Sequence, residues 1–221
     1  MSEAARPLFG GAPKPLTKTD LAYDQIRQAI LVGHFKPGST LDQEVLAEQL
    51  DLSTTPVREA LRRLESERLV VRRAHRDTVV APLSHEMLEE TFTIRLALDP
   101  MAASLAATNA TAEERAVLGE LLHGRDPGPR PADRVSAHRQ LHRAIYGACH
   151  NAVLVEMLDS LWNIVDRYRL VTLEHGVTAP PIHRDHDALA EAVIAGRSKE
   201  AAKLMREHTI EGIQAIRESA G

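Results

Sequence analysis

The 221-residue sequence predicts a mainly α-helical protein with one small β-hairpin. Apolar residues recur at helical spacing through most of the chain, which indicates amphipathic helices. Short β-branched runs stand together at Leu69–Val71 and Thr78–Val80, as expected for two strands. From Ser84 onward the apolar pattern is helical without a strand pattern. We therefore divide the chain into a mobile tail at 1–16, an N-terminal domain at 17–83 and a helical domain at 84–221.

Composition limits the class of protein. The chain is 43% hydrophobic, which indicates a globular protein, and no apolar run approaches the length of a membrane span. The N-terminus lacks the apolar core of a secretory signal. The single cysteine, Cys149, cannot form an intrachain disulfide, which is typical of a reducing compartment. We expect a cytoplasmic protein that does not use the membrane.

The N-terminal domain begins with two predicted helices. Thr17 and Asp20 approximate a capping box for a helix over Thr17–Val32, whose expected buried residues are Leu21, Ile26 and Ile30. A second helix is predicted over Leu41–Leu50, whose apolar residues lie on one face. A tight turn then leads into a third helix.

The third helix, predicted over Ser53–Glu67, is the candidate DNA-reading element. It opens with three hydroxyl residues and Pro56, all of which favour a helix N-terminus. Its arginines lie off the apolar stripe, so they suit a DNA major groove, although a solvated basic surface is the alternative. The candidate DNA contacts on this helix are Ser53, Thr54, Thr55, Arg58 and Arg62.

A cationic turn between the two predicted strands completes this domain. Helix, turn, helix and a basic β-hairpin make a winged helix-turn-helix, a motif that binds double-stranded DNA. From Pro56 to Arg76 the chain carries seven arginines against three glutamates, although its net charge is −4. Such a local excess of positive charge is typical of a sequence-selective DNA binder. The candidate contacts in the turn are Arg73, His75 and Arg76.

The helical domain is predicted as an antiparallel bundle because its helices are separated by short loops. Pro100 lies inside the first of these helices and is expected to kink it. The predicted helices span Ser84–Thr108, Thr111–His123, Ala132–Cys149, Ala152–Leu173, Ile182–Ala195 and Ser198–Ser219.

Four histidines of this domain share the inward faces of their helices. His138 and His142 are four residues apart, so they lie on one face, while His186 and His208 align with apolar residues of two other helices. A single histidine on an apolar face is more often a hydrogen-bonded core residue than a ligand. Four on three helices of one bundle are harder to attribute to the core alone, since neutral imidazole is a common ligand of zinc, nickel and copper and bundle cores build metal sites on facing helices. We expect a divalent metal ion here, with zinc or nickel as first choices.

Residues 17–83 resemble the DNA-binding domain of GntR-type transcription regulators. The resemblance is carried by the turn from Gly33 to Gly38 (Gly-His-Phe-Lys-Pro-Gly) and by Pro-Val-Arg-Glu-Ala-Leu from Pro56 to Leu61. It implies a homodimer that binds a short palindromic operator. The sequence differs from the usual family pattern at Thr54, at Arg68 and near Asp77, where members carry Arg, Gly and Gly.

Residues 84–219 resemble the FCD effector-binding domain of the FadR branch of that family. Three motifs carry this resemblance. The first is Arg-Leu-Ala-Leu-Asp-Pro-Met-Ala-Ala from Arg95 to Ala103, and the second is His-Arg-Gln-Leu-His from 138 to 142. The third is the segment from His186 to Gly196, together with His208. The resemblance implies a divalent metal on His142, His186 and His208, with His138 standing where the family has aspartate. It also implies a small effector, such as an organic acid, in a pocket that Arg95 faces.

Two further side chains complete the expected site. Asn163 is a candidate hydrogen-bonding group for the effector, whereas Trp162 is expected in the core or an interface. For Arg95 the alternative is a surface cation paired with Asp99 one turn away.

The sequence therefore predicts an effector-controlled transcription regulator and not an enzyme. One alternative is a metal-responsive regulator without an organic effector. The other is a metal-dependent hydrolase built on the histidine cluster. The absence of a His-Glu-x-x-His motif and the presence of an arginine-rich winged domain argue against the hydrolase.

Overall fold

The computed structural model describes residues 16–73, 77–123, 130–174 and 183–219. All but the last residue of the tail predicted at 1–16 lies outside this range, as do His75 and Arg76 at the tip of the predicted wing. The N-terminal domain contains three helices and three short strands: α1 (Lys18–Leu31), β1 (Thr40–Leu41), α2 (Gln43–Gln49), α3 (Thr54–Ser66), β2 (Val70–Arg72) and β3 (Thr78–Val80).

The strands form an antiparallel sheet in the order β1-β3-β2. Within the hairpin, Val71 pairs with Val79. The sheet and the three helices confirm the predicted helix-turn-helix with a small wing. Strand β1 was not predicted, because we assigned Leu41 to the second helix. That assignment was wrong: Thr40 pairs with Val79, and Asp42 caps α2 by accepting from the amides of Glu44 and Val45.

Helix α1 begins as predicted, and two of its three expected core residues, Ile26 and Ile30, are buried. Thr17 and Asp20 form the expected capping box. Leu21, which we expected to be buried, is 41% exposed, whereas Ala22, Ile26 and Ile30 are almost completely buried. These three residues are spaced four apart and set the inward direction of the helix. Leu21 lies just outside that stripe.

The helical domain contains six helices within the described residues: α4 (His85–Asn109), α5 (Ala112–His123), α6 (Pro131–Gly147), α7 (Ala152–Glu174), α8 (His183–Ile194) and α9 (Ser198–Ser219). These bounds agree with the predicted ones to about two residues. Helix α4 is central, since it packs against α6, α7, α8 and α9. None of the helices in the described part of the chain combines the length and hydrophobicity that a membrane span requires.

Helix α7 joins the two domains. Arg27 of α1 donates to the side-chain oxygen of Asn163, and Arg167 donates to the carbonyl oxygen of Ala81, just after β3. The hydroxyl of Tyr168 contacts the backbone of Ser84. Helix α7 therefore touches the N-terminal domain, while its opposite side lines the centre of the bundle.

Candidate functional site

The four predicted histidines meet in the centre of the bundle. His138 and His142 come from α6, His186 from α8 and His208 from α9. Each offers one ring nitrogen, and these four nitrogens all lie within 4.8 Å of one another. The Nε2 atoms of His142 and His186 are 3.2 Å apart. Three helices that are distant in sequence thus converge on one volume suited to a single ion.

Burial keeps three of these four imidazoles in the form that binds metals. Loss of solvation lowers the pKa of His138, His142 and His208 well below the usual value of 6.5, and the neighbouring cationic groups lower it further. The rings are therefore neutral at physiological pH, with lone pairs available. Neutral imidazole nitrogens are ordinary ligands of Zn²⁺ and Ni²⁺, so this donor set fits a divalent transition metal.

Trp162 packs against one side of the histidine cluster, and Tyr146 contacts both Trp162 and His142. The Trp162 ring centroid lies 4.4 Å from that of His142 and 5.1 Å from that of His138. The Tyr146 hydroxyl accepts from Nε1 of Trp162 at 3.1 Å and lies 3.2 Å from Nδ1 of His142. Sequence reasoning missed Tyr146, although its position one turn after His142 was a usable signal.

Arg95 lies beside this centre, in an ion pair. It donates through Nε and Nη2 to Oδ2 of Asp99, at 3.0 and 2.7 Å, and its guanidinium carbon lies 4.2 Å from the Trp162 ring centroid. The alternative for Arg95 was a surface pair with Asp99. The pair exists, but both side chains are buried. Burial opposes the charge of Arg95, but its interactions with Asp99 and Tyr146 together outweigh that effect, so the pKa of Arg95 is raised.

Arg169 is a second guanidinium at the histidines that sequence reasoning missed. Its Nη1 contacts both ring nitrogens of His138, at 2.8 Å from Nε2, and its guanidinium lies 5.7 Å from the Trp162 ring. Arg169 is seven residues after Trp162 on α7, so both project from the same face. That spacing was the available signal.

Asn163 lies elsewhere than expected. Its side chain is buried, but it accepts from Arg27 of the N-terminal domain and lines an interdomain cleft with Tyr23 and Asp159. Successive helix positions point in different directions, so Trp162 faces the histidines and Asn163 faces α1. Our assignment of Asn163 to the effector pocket needs correction: this side chain belongs to the domain interface.

The candidate DNA contacts of α3 are on its exposed face. Ser53 is the N-cap residue, although its side chain makes no capping hydrogen bond. Thr54, Thr55, Arg58 and Arg62 are all exposed. Within the described residues, neither of these two arginines has a carboxylate at ion-pair distance, so both are available to a polyanion. Exposed Arg73 follows β2, where its amide donates to the carbonyl of Asp77.

Arg63 differs from the other arginines of α3. Its guanidinium lies 3.7 Å from the Tyr23 ring centroid and pairs with Asp20 and Glu67. These contacts direct it toward α1 and away from the exposed face. Arg63 therefore holds the two helices together.

The N-terminal domain is a winged helix-turn-helix with an exposed cationic helix, and the second domain is a helical bundle with an enclosed polar centre. This combination is typical of ligand-responsive DNA-binding regulators. Residues 18–80 match the bacterial regulatory proteins of the gntR family, and residues 90–211 match the FCD domain. The chain belongs to the GntR family of transcriptional regulators and carries an FCD domain, as the sequence motifs indicated.

Individual relatives agree with this assignment. The chain is 29% identical over 216 residues to the HTH-type transcriptional repressor GlaR of Escherichia coli, covering 92% of this chain and 98% of GlaR. It is 33% identical over 155 residues to the HTH-type transcriptional regulator McbR of E. coli, covering 69% of this chain and 70% of McbR. The solved structure of E. coli McbR/YncC superposes with a TM-score of 0.82 at 25% identity, covering 94% of this chain and 100% of that one. GlaR and McbR are both named as transcriptional regulators.

Proposed function

We propose that this GntR-family regulator binds a divalent metal ion on His138, His142, His186 and His208, and a small carboxylate effector beside that ion. Effector binding then sets the affinity of a cytoplasmic homodimer for a palindromic operator. The observation that carries the proposal is the convergence of four imidazole nitrogens within 4.8 Å on three helices.

The charge of the site supports an anionic effector. Four neutral imidazoles leave the full charge of a divalent ion uncompensated, and when bound the ion supplies an electrophilic centre for carboxylate oxygens. The negative charge of the nearby Asp99 is offset by Arg95, which it binds through Oδ2. Arg169 adds a further positive charge at His138. A carboxylate offsets this excess positive charge better than a neutral ligand does.

The exposed face of α3 supports DNA binding in the major groove. Arg58 and Arg62 project from the same side of this short helix as the hydroxyls of Thr54 and Thr55. Arginine in such a position binds guanine with two hydrogen bonds or contacts phosphate. Arg73, with His75 and Arg76 at the wing, would add contacts outside the helix.

Exposed apolar side chains on two helices of the helical domain support a homodimer. Ile94 and Met101 of α4 are 45% and 52% exposed, and Val153 and Met157 of α7 are 69% and 50% exposed. We infer that these side chains are covered in solution by a partner, here a second copy of the chain, as contiguous apolar patches at interfaces are. A twofold dimer presents two copies of α3, which explains a palindromic operator.

Helix α7 provides the physical link between the effector site and the DNA-binding domain. Trp162 packs against the histidines, and the next residue, Asn163, accepts from Arg27 of α1. A small rotation of α7 on ligand binding would move both contacts together. Such a shift changes the relative placement of the two α3 helices, which is how ligand and operator affinities become coupled.

The decisive experiment is calorimetry of metal-stripped protein with Zn²⁺ and Ni²⁺. We expect one ion per chain, lost in His142→Ala and kept in His85→Ala, a matched change at an exposed histidine. Operator affinity is then measured with and without a panel of small carboxylates. Equal metal binding by the parent and His142→Ala would reject the site. Metal binding that changes operator affinity without any carboxylate would favour the metal-responsive alternative.

A further inference from the structure

Among the side chains that the structure describes, Arg169 is an arginine of the bundle centre without an acidic group at ion-pair distance. Arg95 is paired with Asp99 at 2.7 Å, and Arg139 is paired with Asp166 at 2.6 Å. For Arg169, no carboxylate oxygen lies at ion-pair distance among the described side chains, which do not include that of Asp185. Its polar contact is the neutral ring of His138.

The guanidinium of Arg169 nonetheless stays charged. Burial lowers its pKa to about 10, with attraction to Asp166 as the main opposing effect, so the cation persists at neutral pH. A cation that is largely removed from water and held by a neutral acceptor is poorly compensated. An arrangement of this kind is completed when an anion enters.

Arg169 and a metal ion compete for His138. Both ring nitrogens of His138 lie within hydrogen-bonding distance of Nη1 of Arg169. A nitrogen lone pair that accepts from a guanidinium cannot simultaneously bind a metal. Arg169 must therefore move away from the ring nitrogen of His138 that binds the ion, whichever of the two it is. Two cations then lie close together, and their repulsion is relieved by a negative group between them.

We propose that Arg169 couples metal binding to anion binding: the metal displaces Arg169 from His138, and the freed guanidinium binds the carboxylate that coordinates the metal. This inference rests on the proposed metal and effector site and names the residue that determines its ligand class. The effector would then be a carboxylate that both the metal and the guanidinium of Arg169 can bind.

Arg95 is less suited to this role. Its Nε and Nη2 atoms both donate to Oδ2 of Asp99, which in turn accepts from the Thr209 hydroxyl at 3.2 Å. Withdrawing Arg95 would leave Asp99 buried without its cation, which is strongly unfavourable. Arg169 gives up a contact with a neutral ring only.

The direction in which Arg169→Gln changes zinc affinity separates this coupling role from a purely structural one. Arg169→Gln removes both the competitor for His138 and a positive charge next to the metal. We therefore expect the affinity for Zn²⁺ in chloride buffer to rise about tenfold, whereas loss of a supporting residue would lower it. In the parent, replacing chloride by acetate at equal ionic strength should raise zinc affinity about tenfold, within the usual range of coupling. In Arg169→Gln this acetate enhancement should disappear.

The experiment is zinc calorimetry on the full-length parent, Arg169→Gln, Arg169→Lys and Arg143→Gln, each in chloride and in acetate. Arg169→Lys keeps the cation and should keep part of the acetate enhancement. Arg143→Gln is the matched control, since Arg143 is an exposed arginine that pairs with Asp159, and it should behave like the parent. Thermal melts of the metal-free proteins establish that each variant is folded.

The possible results of this experiment test the role of Arg169 and the metal site separately. Tighter zinc binding by Arg169→Gln with no acetate enhancement supports the coupling role, even where the parent itself binds zinc too weakly to detect. Normal zinc binding by the parent with unchanged affinity and unchanged enhancement in Arg169→Gln overturns the role of Arg169 and leaves the metal site standing. No zinc binding by the parent or by Arg169→Gln overturns both.

Discussion

The Tyr146 hydroxyl lies 3.2 Å from Nδ1 of His142, on the side of the imidazole opposite the histidine cluster. Burial raises the pKa of Tyr146 well above 10, so the phenol keeps its proton. Its oxygen accepts from Trp162 as well. This contact fixes the orientation of the His142 ring, with Nε2 directed at His186.

Removing this hydroxyl should weaken metal binding without unfolding the protein. Groups that hold a metal-binding histidine by its second nitrogen typically change metal affinity by about 10- to 100-fold. We expect Tyr146→Phe to lower zinc affinity by at least about tenfold, measured by competition with a chelator. The control is Tyr23→Phe, in the N-terminal domain. Zinc affinity equal to that of the parent would show that packing alone orients His142.

The exposed arginines of α3 should carry sequence-specific DNA binding. Arg58→Ala should weaken binding to a DNA site selected from a random library by about 1–3 kcal/mol, the usual value of a good base contact. Lys203→Ala on α9 removes the same charge from an exposed residue of the helical domain and is the control. If both variants bind the selected site equally well at matched salt, α3 is not the reading helix.

The backbone at Arg68 predicts a stabilising substitution. Arg68 follows the C-cap residue of α3 with φ of 58°, a left-handed conformation that favours glycine. Arg68→Gly should therefore raise the free energy of unfolding by about 0.5–1 kcal/mol, since relief of strain exceeds the entropy that glycine adds to the unfolded chain. Arg68→Ala keeps the strain and should not stabilise. Urea denaturation of both variants checks this, and a less stable Arg68→Gly would mean that the side chain makes a compensating contact.

The buried histidines predict that the metal-free protein loses stability in mild acid. The pKa values of His138, His142 and His208 are lowered in the folded state, so the unfolded chain takes up protons near pH 6.5 and the folded chain does not. The free energy of unfolding should therefore fall as pH drops below about 6.5, by about 1.4 kcal/mol per pH unit for each such histidine. Denaturation of the parent and of His138→Gln/His142→Gln/His208→Gln between pH 8 and 5 tests this. An equally steep decline in the triple variant would assign the effect to other groups.

Local signals in the sequence determined the helices and the faces that they bury. The capping pair Thr17 and Asp20 marked the start of α1, and the apolar period carried through all six helices of the second domain. The inward phase of His138 and His142 followed from the same period. These features depend on neighbours within one or two turns, so they can be derived from the order of residues alone.

Tertiary packing decided which of those faces meet. That four histidines converge depends on how α6, α8 and α9 pack, and periodicity within one helix contains no information about that. The contact between Arg169 and His138 joins α7 to α6, and the bond between Arg27 and Asn163 joins α7 to α1. Strand β1 exists only because β3 lies beside Thr40. These pairings are non-local, so their free energy depends on several elements at once, and only the assembled structure determines them.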